Sequence, residues 1–210
     1  MTLVFIFTTA FVVALSGALI PGPLLTITVR EAARRGIWVG PLVTVGHAVA
    51  ELALVTALAL GLNEMVSSQL VRGIIFLGGG VILVLMGLWT VRFAWRQRTV
   101  PAATSPDSGH GTRLVFSGFL ASVANPSWII WWATVGTTWV FVSLQRGLIG
   151  VASFYTGHIL ADLGWYTLVA LMIGGGRKLM TPAVYRGILF TCGLGLIALG
   201  VYFVVSGWAV

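Results

Sequence analysis

The chain repeats itself once, and the repeat falls on its rarest side chains. Arg35-Gly36, then Gly46-His47, then Glu51-Leu52 recurs as Arg146-Gly147, Gly157-His158 and Asp162-Leu163 with the same internal spacing. Each half therefore carries a His and a carboxylate at i, i+4, on one face of a helix. A later pair of segments also opens alike, Arg72-Gly73-Ile74-Ile75-Phe76 against Arg186-Gly187-Ile188-Leu189-Phe190. An earlier pair matches more weakly: Ser16-Gly17 with Pro21-Gly22-Pro23 against Ser117-Gly118 with Asn125-Pro126. Three elements thus recur in order.

The surroundings of these side chains define the solvent. Charged residues make up 8% of the chain and hydrophobic ones 58%, with a mean hydropathy of +1.02, whereas a soluble domain carries about 25% charged residues. Such a chain cannot cover a water-facing globule, so the sequence predicts an integral membrane protein. Apolar runs at about 3–28, 37–61, 73–91, 114–141, 148–173 and 187–208 are each able to supply a helical span, which takes ~20 residues. The expected fold class is an all-α membrane protein with six transmembrane helices in two three-helix repeats. Three is odd, so the second copy enters the membrane in the opposite orientation, an arrangement common in secondary transporters. The expected divisions are 1–92 for the first repeat, 93–112 for a cytoplasmic linker and 113–210 for the second, inverted repeat. The linker, with Pro101, Ser105, Pro106, Ser108 and Gly109 around Asp107, is the one low-complexity stretch, and His110 within it reads as solvated.

The formal net charge of +7 does not point to nucleic acid, because the basic residues fall in short connections between apolar runs. Arg30, Arg34 and Arg35 lie in the first connection, Arg92, Arg96, Arg98 and Arg113 in the third, and Arg177, Lys178 and Arg186 in the fifth. Of the 12 Lys and Arg residues only Arg72 and Arg146 lie in the second and fourth. Basic connections stay cytoplasmic, so both termini are expected outside. The first run lacks the basic start of a signal peptide and continues past Pro23, and it reads as a span. Cys192 is the only cysteine, which rules out an internal disulfide.

Ionisable side chains are costly in hydrocarbon and mark functional sites by default. His47, Glu51, His158 and Asp162 are therefore the leading candidates. They fit a proton relay, a seat for a cationic substrate, or a metal site of two imidazoles and two carboxylates, a donor set that suits first-row ions. The plain alternative is two interhelical hydrogen bonds, for which Ser, Thr or Asn would be a less costly adhesive. Pro21, Gly22 and Pro23 interrupt the first run, and Asn125 and Pro126 the fourth. Proline removes a donor and clashes with the preceding turn, and the freed backbone groups are tolerated at depth only beside protein or a wet cavity. Interrupted helices suit a substrate carboxylate better than a bare cation, which favours an amino acid or amine with proton coupling. Trp128 and Trp132, at i, i+4, read first as interfacial aromatics and second as a face offering rings to an ammonium group. The small pairs Gly46/Ala50 and Gly157/Ala161 predict a close approach of the second and fifth helices. No His-Glu-x-x-His, activated nucleophile or phosphate loop is present, so neither an enzyme nor a cofactor is expected.

Pro-Gly-Pro near the end of the first run, the Arg-Gly turn, the Gly-rich second run, the central linker and Asn-Pro early in the fourth resemble the LysE family (LysE/RhtB type) of amino-acid exporters. The resemblance spans essentially the whole chain. The Gly-His-x-x-x-Glu and Gly-His-x-x-x-Asp pair is similar to one subgroup of it. The resemblance implies a secondary transporter exporting amino acids, cationic ones included, by proton antiport with alternating access in the cytoplasmic (plasma) membrane of a prokaryote. The expected partners are an amino-acid substrate, protons and the lipid bilayer, with homo-oligomerisation left open. The wider superfamily includes transporters of divalent metal ions, so a metal-ion exporter using His47, Glu51, His158 and Asp162 is the alternative.

Overall fold

The computed structural model describes residues 1–20, 22–60, 69–99, 110–176 and 181–207, and every regular element among them is helical. Helix α1 (Leu3–Ala18) begins where Thr2 Oγ1 accepts the Phe5 N–H at 3.2 Å, an N-cap that satisfies one of the helix's orphan donors. The chain restarts as α2 (Pro23–Arg35) with Gly22 as N-cap and proline at the first position, where a missing N–H does no harm. The two helices are bent by 78°, so the first apolar run is interrupted, as a broken span or a re-entrant loop is. Pro21 itself lies outside the described residues.

The fourth run breaks in the same manner. Helix α5 (His110–Val123) ends before Asn125, whose Oδ1 accepts the Ser127 N–H at 3.1 Å and the Ser127 hydroxyl at 2.7 Å. Helix α6 (Pro126–Trp131) then restarts with proline at its first position. A π turn over Trp132–Gly136 leads into α7 (Thr137–Leu144). The Thr137 hydroxyl donates to the Trp132 carbonyl at 2.6 Å across that turn, and the Trp132 ring lies over Gly136, where a side chain would not fit.

Between the breaks run the long helices. Helices α3 (Val39–Ala59), α8 (Gly147–Ala170, continued by a π turn to Gly175) and α9 (Pro182–Gly207) supply the crossings that are long and apolar enough to be unbroken, and α1 with α2 makes a bent fourth. Helix α4 (Gln69–Arg96) covers the third apolar run, although the side chains of its first two turns lie outside the described residues. The α5–α7 run is divided into pieces each too short to cross. The described residues therefore hold three crossings by length and composition, or four with the bent pair, against the six expected. Large apolar side chains such as Val4, Leu60, Trp95 and Val205 face outward, as lipid-facing surfaces require. The chain is a multi-pass membrane protein. Half of the expected linker, residues 100–109, lies outside the described residues.

The repeated Arg-Gly has a backbone cause. Gly36 at φ +84° and Gly147 at φ +67° are the only positive-φ residues among those described, and this left-handed conformation, which glycine adopts without a Cβ penalty, turns the chain into α3 and α8. The repeated Gly-His has a packing cause. Gly46 lies against the Val115 carbonyl of α5, and Gly157 against the Phe7 carbonyl of α1, with no room for a Cβ at either. The small residues therefore seat α3 on α5 and α8 on α1, instead of drawing α3 and α8 together as the sequence suggested. The reason is angular: each glycine is one residue, about 100° of turn, from the histidine that lies at the α3–α8 contact.

The helix pairs follow one scheme. Helices α1 and α8 run parallel, with the Ser153 hydroxyl donating to the Leu3 carbonyl at 2.9 Å one turn before the Phe7–Gly157 contact. Helices α3 and α5 also run parallel, Val43 lying on Gly118 one turn before His47 meets Ser122. Helices α3 and α8 are antiparallel, tied by the Tyr155 hydroxyl to the Ala48 carbonyl at 2.7 Å. Helices α4 and α9 pack antiparallel through facing glycines, Gly80 on Gly200 and Gly87 on Gly193. At the end of α2, Arg35 Nε donates to Glu31 Oε2 at 2.6 Å, the i, i+4 pair expected from the sequence, while the Arg30 guanidinium lies over Trp89 and Phe93 at 5.1 and 4.8 Å from their centroids.

Candidate functional site

The antiparallel contact of α3 with α8 brings the two repeated motifs together. His47 and Glu51 on α3 and His158 and Asp162 on α8 are all buried, with Glu51 only 1% exposed. His47 Nε2 lies 3.1 Å from Glu51 Oε1 and 3.6 Å from Asp162 Oδ2. His158 Nε2 lies 3.2 Å from Glu51 Oε2 and 3.4 Å from Asp162 Oδ2. Each imidazole thus addresses both carboxylates, its own and that of the opposite half.

The surroundings fix which atoms are free. The Ser122 hydroxyl on α5 donates to the Gly118 carbonyl at 2.8 Å, and its oxygen lies 2.6 Å from His47 Nδ1. A hydroxyl has a single proton, so Ser122 accepts from His47 Nδ1–H, and His47 Nε2 is left to face the carboxylates. Glu51 Oε1 accepts two indole N–H bonds, from Trp128 and Trp132, both at 2.9 Å. Bonds of this kind to an ionised oxygen are about twice as strong as neutral ones, and both indoles hold the same oxygen, which orients the carboxylate and leaves Oε2 over. Among the described residues, Glu51 Oε2, Asp162 Oδ2 and His158 Nδ1 are buried without a hydrogen-bond partner. His158 is walled by aromatic rings, with Trp131, Trp132 and Phe154 centroids 4.9, 5.2 and 5.9 Å away.

These groups line a cavity of about 60 Å³ whose other walls include Gly17, Ile20, Leu24, Asn125, Ser127 and Tyr166. That volume suits roughly two waters. The two helix breaks meet at its edge: a Cβ on Gly22 would lie 3.5 Å from Asn125 Nδ2. The structure therefore gathers His47, Glu51, His158, Asp162, Asn125, Trp128 and Trp132 at one cavity, with Gly22 beside it. Pro23 is buried at the start of α2, whereas Pro21 and the side chain of Pro126 lie outside the described residues. Trp128 and Trp132 turn their N–H edges to Glu51. Ser122, Trp131 and Tyr166 were missed by sequence reasoning. Tyr166 follows Asp162 at i+4, a spacing that would have placed it on the same face, while Ser122 has no sequence signal of its own.

The fold and site together are those of a membrane-embedded helical bundle whose buried ionisable groups line a small cavity, the class to which transport proteins belong. The chain belongs to the LysE type translocator family, which matches residues 15–207, and it is a transporter, not an enzyme. It is similar to the "Putative amino acid efflux protein YcgF" of Bacillus subtilis (strain 168), with 23% identity over 203 residues that cover 96% of each chain. No solved structure matches it.

Proposed function

We propose that the chain exports an amino acid across the cytoplasmic membrane of a prokaryote in exchange for protons, by alternating access between two inverted three-helix repeats. The repeats are 1–92 and 113–210, joined by a linker at 93–112. The observation that carries this reading is the meeting of both His-carboxylate motifs, one from each half, in a single buried cavity. The inverted repeat is supported by the packing scheme. Exchanging the halves turns the parallel pair α1–α8 into the parallel pair α5–α3, and it leaves the antiparallel pairs α3–α8 and α4–α9 in place.

The amino-acid cargo is supported by the efflux protein to which the chain is similar, and by the chemistry of the cavity. Two carboxylates with unpartnered oxygens suit an ammonium group, and the helix starts after Gly22 and Asn125 place positive dipole ends beside the cavity, which favours a carboxylate there. The exchange with protons is supported by the excess of acceptors. With His47 Nδ1–H committed to Ser122, the cluster must gather a further positive charge between Nε2 and the carboxylates, and a proton and a substrate ammonium compete for that place. At about 60 Å³ the cavity is below the ~300–1,000 Å³ of ordinary ligand pockets, so a substrate of amino-acid size requires it to widen.

The test is a flux panel in proteoliposomes. Individual amino acids are loaded with and without an imposed pH gradient, and the reading expects gradient-dependent movement of at least one of them. Movement that ignores the gradient removes the proton coupling, and no movement of any amino acid removes the cargo. Divalent-ion export, the alternative from the same four residues, would show as ion flux in its place.

A further inference from the structure

We propose that His47, Glu51 and Asp162 form a binding site for a first-row divalent metal ion of the zinc type, three protein ligands with the fourth position left to solvent or substrate. The proposal shares residues with the export reading and rests on the cluster's geometry alone. His47, Glu51 and Asp162 each place a donor atom within 4.8 Å of the others. An ion bound by N and O ligands at ~2.0–2.1 Å in tetrahedral geometry separates neighbouring donors by about 3.3–3.4 Å. His47 Nε2 lies 3.1 Å from Glu51 Oε1 and 3.6 Å from Asp162 Oδ2, and these separations bracket that edge.

Two further observations point to a ligand. Glu51 Oε2 and Asp162 Oδ2 are buried without hydrogen-bond partners on residues only 1% and 3% exposed, and buried carboxylate oxygens of this kind call for a cation. The surrounding groups are also arranged as supports. A metal-ligating histidine typically donates its other ring N–H to a fixed acceptor, which sets the tautomer, and His47 Nδ1–H does so to Ser122. The indoles of Trp128 and Trp132 do the same for the carboxylate of Glu51. Two ionised carboxylates, one neutral imidazole and one divalent ion form an electrically neutral buried unit, which avoids the penalty of an uncompensated buried charge.

The experiment uses the full chain, purified in detergent, and titrates Co²⁺ as the probe with visible absorption as the readout. Four-coordinate cobalt gives intense visible bands and six-coordinate cobalt only faint ones. The proposal expects the intense bands, saturating at one ion per chain, bleached by Zn²⁺, which binds such sites more tightly than Co²⁺. It expects loss of the bands in His47→Ala and in Asp162→Asn. Ser122→Ala removes no ligand and is expected to weaken binding by ~10–100-fold, which keeps the test open if a ligand variant fails to fold. Faint bands, or intense bands unchanged in all three variants, overturn the proposal. Amino-acid flux from a protein that binds no cobalt also overturns it and leaves export standing, whereas cobalt binding without amino-acid flux supports it while export falls.

Discussion

Glu51 on α3 and His158 on α8 are 107 residues apart in sequence and lie 3.2 Å apart between Oε2 and Nε2 inside the bundle. The contact joins one half of the chain to the other. The other oxygen of Glu51 is held by Trp128 and Trp132, which belong to the same half as His158. Glu51 Oε2 accepts no hydrogen bond from the described residues and faces the His158 imidazole, so both carboxylate oxygens address the opposite repeat.

The indole bonds to Glu51 are hydrogen bonds to an ionised group, each contributing about 1.5–3 kcal/mol. Trp132→Phe keeps the buried ring and removes the donor, so it is expected to destabilise the protein by about that amount. Trp128→Phe, less buried, is expected to cost less. Chemical denaturation in detergent measures both, and a Trp132→Phe protein as stable as wild type shows that the indole is filler.

Gly46→Ala and Gly157→Ala place a methyl group into the Val115 and Phe7 carbonyls. Overpacking of this sort costs about 1–3 kcal/mol, and the two substitutions are expected to act alike because they sit at corresponding places in the two halves. Gly164 has nothing within 4 Å of its Cβ position, so Gly164→Ala is the control, gaining up to about 1 kcal/mol of helix propensity. Thermal melts of the three proteins decide it: equal behaviour at Gly157 and Gly164 removes the close-contact argument.

Much of the site was legible because of what membranes penalise. His47, Glu51, His158 and Asp162 stand out in apolar runs, and i, i+4 spacing fixes each pair to one face. The breaks at Gly22 and Asn125 were legible too, because a proline inside an apolar run removes a donor and clashes with the preceding turn, and it does so in both halves. Ser122 was not, because a serine bonding back to the carbonyl four residues earlier is ordinary in a membrane helix, and only the seating of α5 on α3 brings His47 to it. The destination of the Trp128 and Trp132 N–H groups was equally hidden. Spacing places two rings on one side of a helix but does not say which edge they present, and the carboxylate they meet comes from another helix. The close approach allowed by Gly46 was foreseen with the wrong partner, since spacing shows that a helix has a smooth face without naming what lies on it.

The asymmetry of basic residues predicts that both termini face away from the cytoplasm. Tags at each end are expected to be labelled by an impermeant reagent added to intact cells. Labelling of either tag only after the membrane is breached contradicts the orientation, and an opposite result at the two ends contradicts an even number of crossings.

The central claim is that Glu51 and Asp162 carry the charge that drives transport, one from each half of the chain. Glu51→Gln and Asp162→Asn keep shape and hydrogen-bonding capacity while removing the ionisable site. The most direct measurement is amino-acid flux in proteoliposomes under an imposed pH gradient for wild type and both variants, each first shown to be folded and monodisperse. The account predicts that either substitution alone reduces flux to the level of protein-free liposomes. Wild-type rates in both variants, under every gradient, would contradict it.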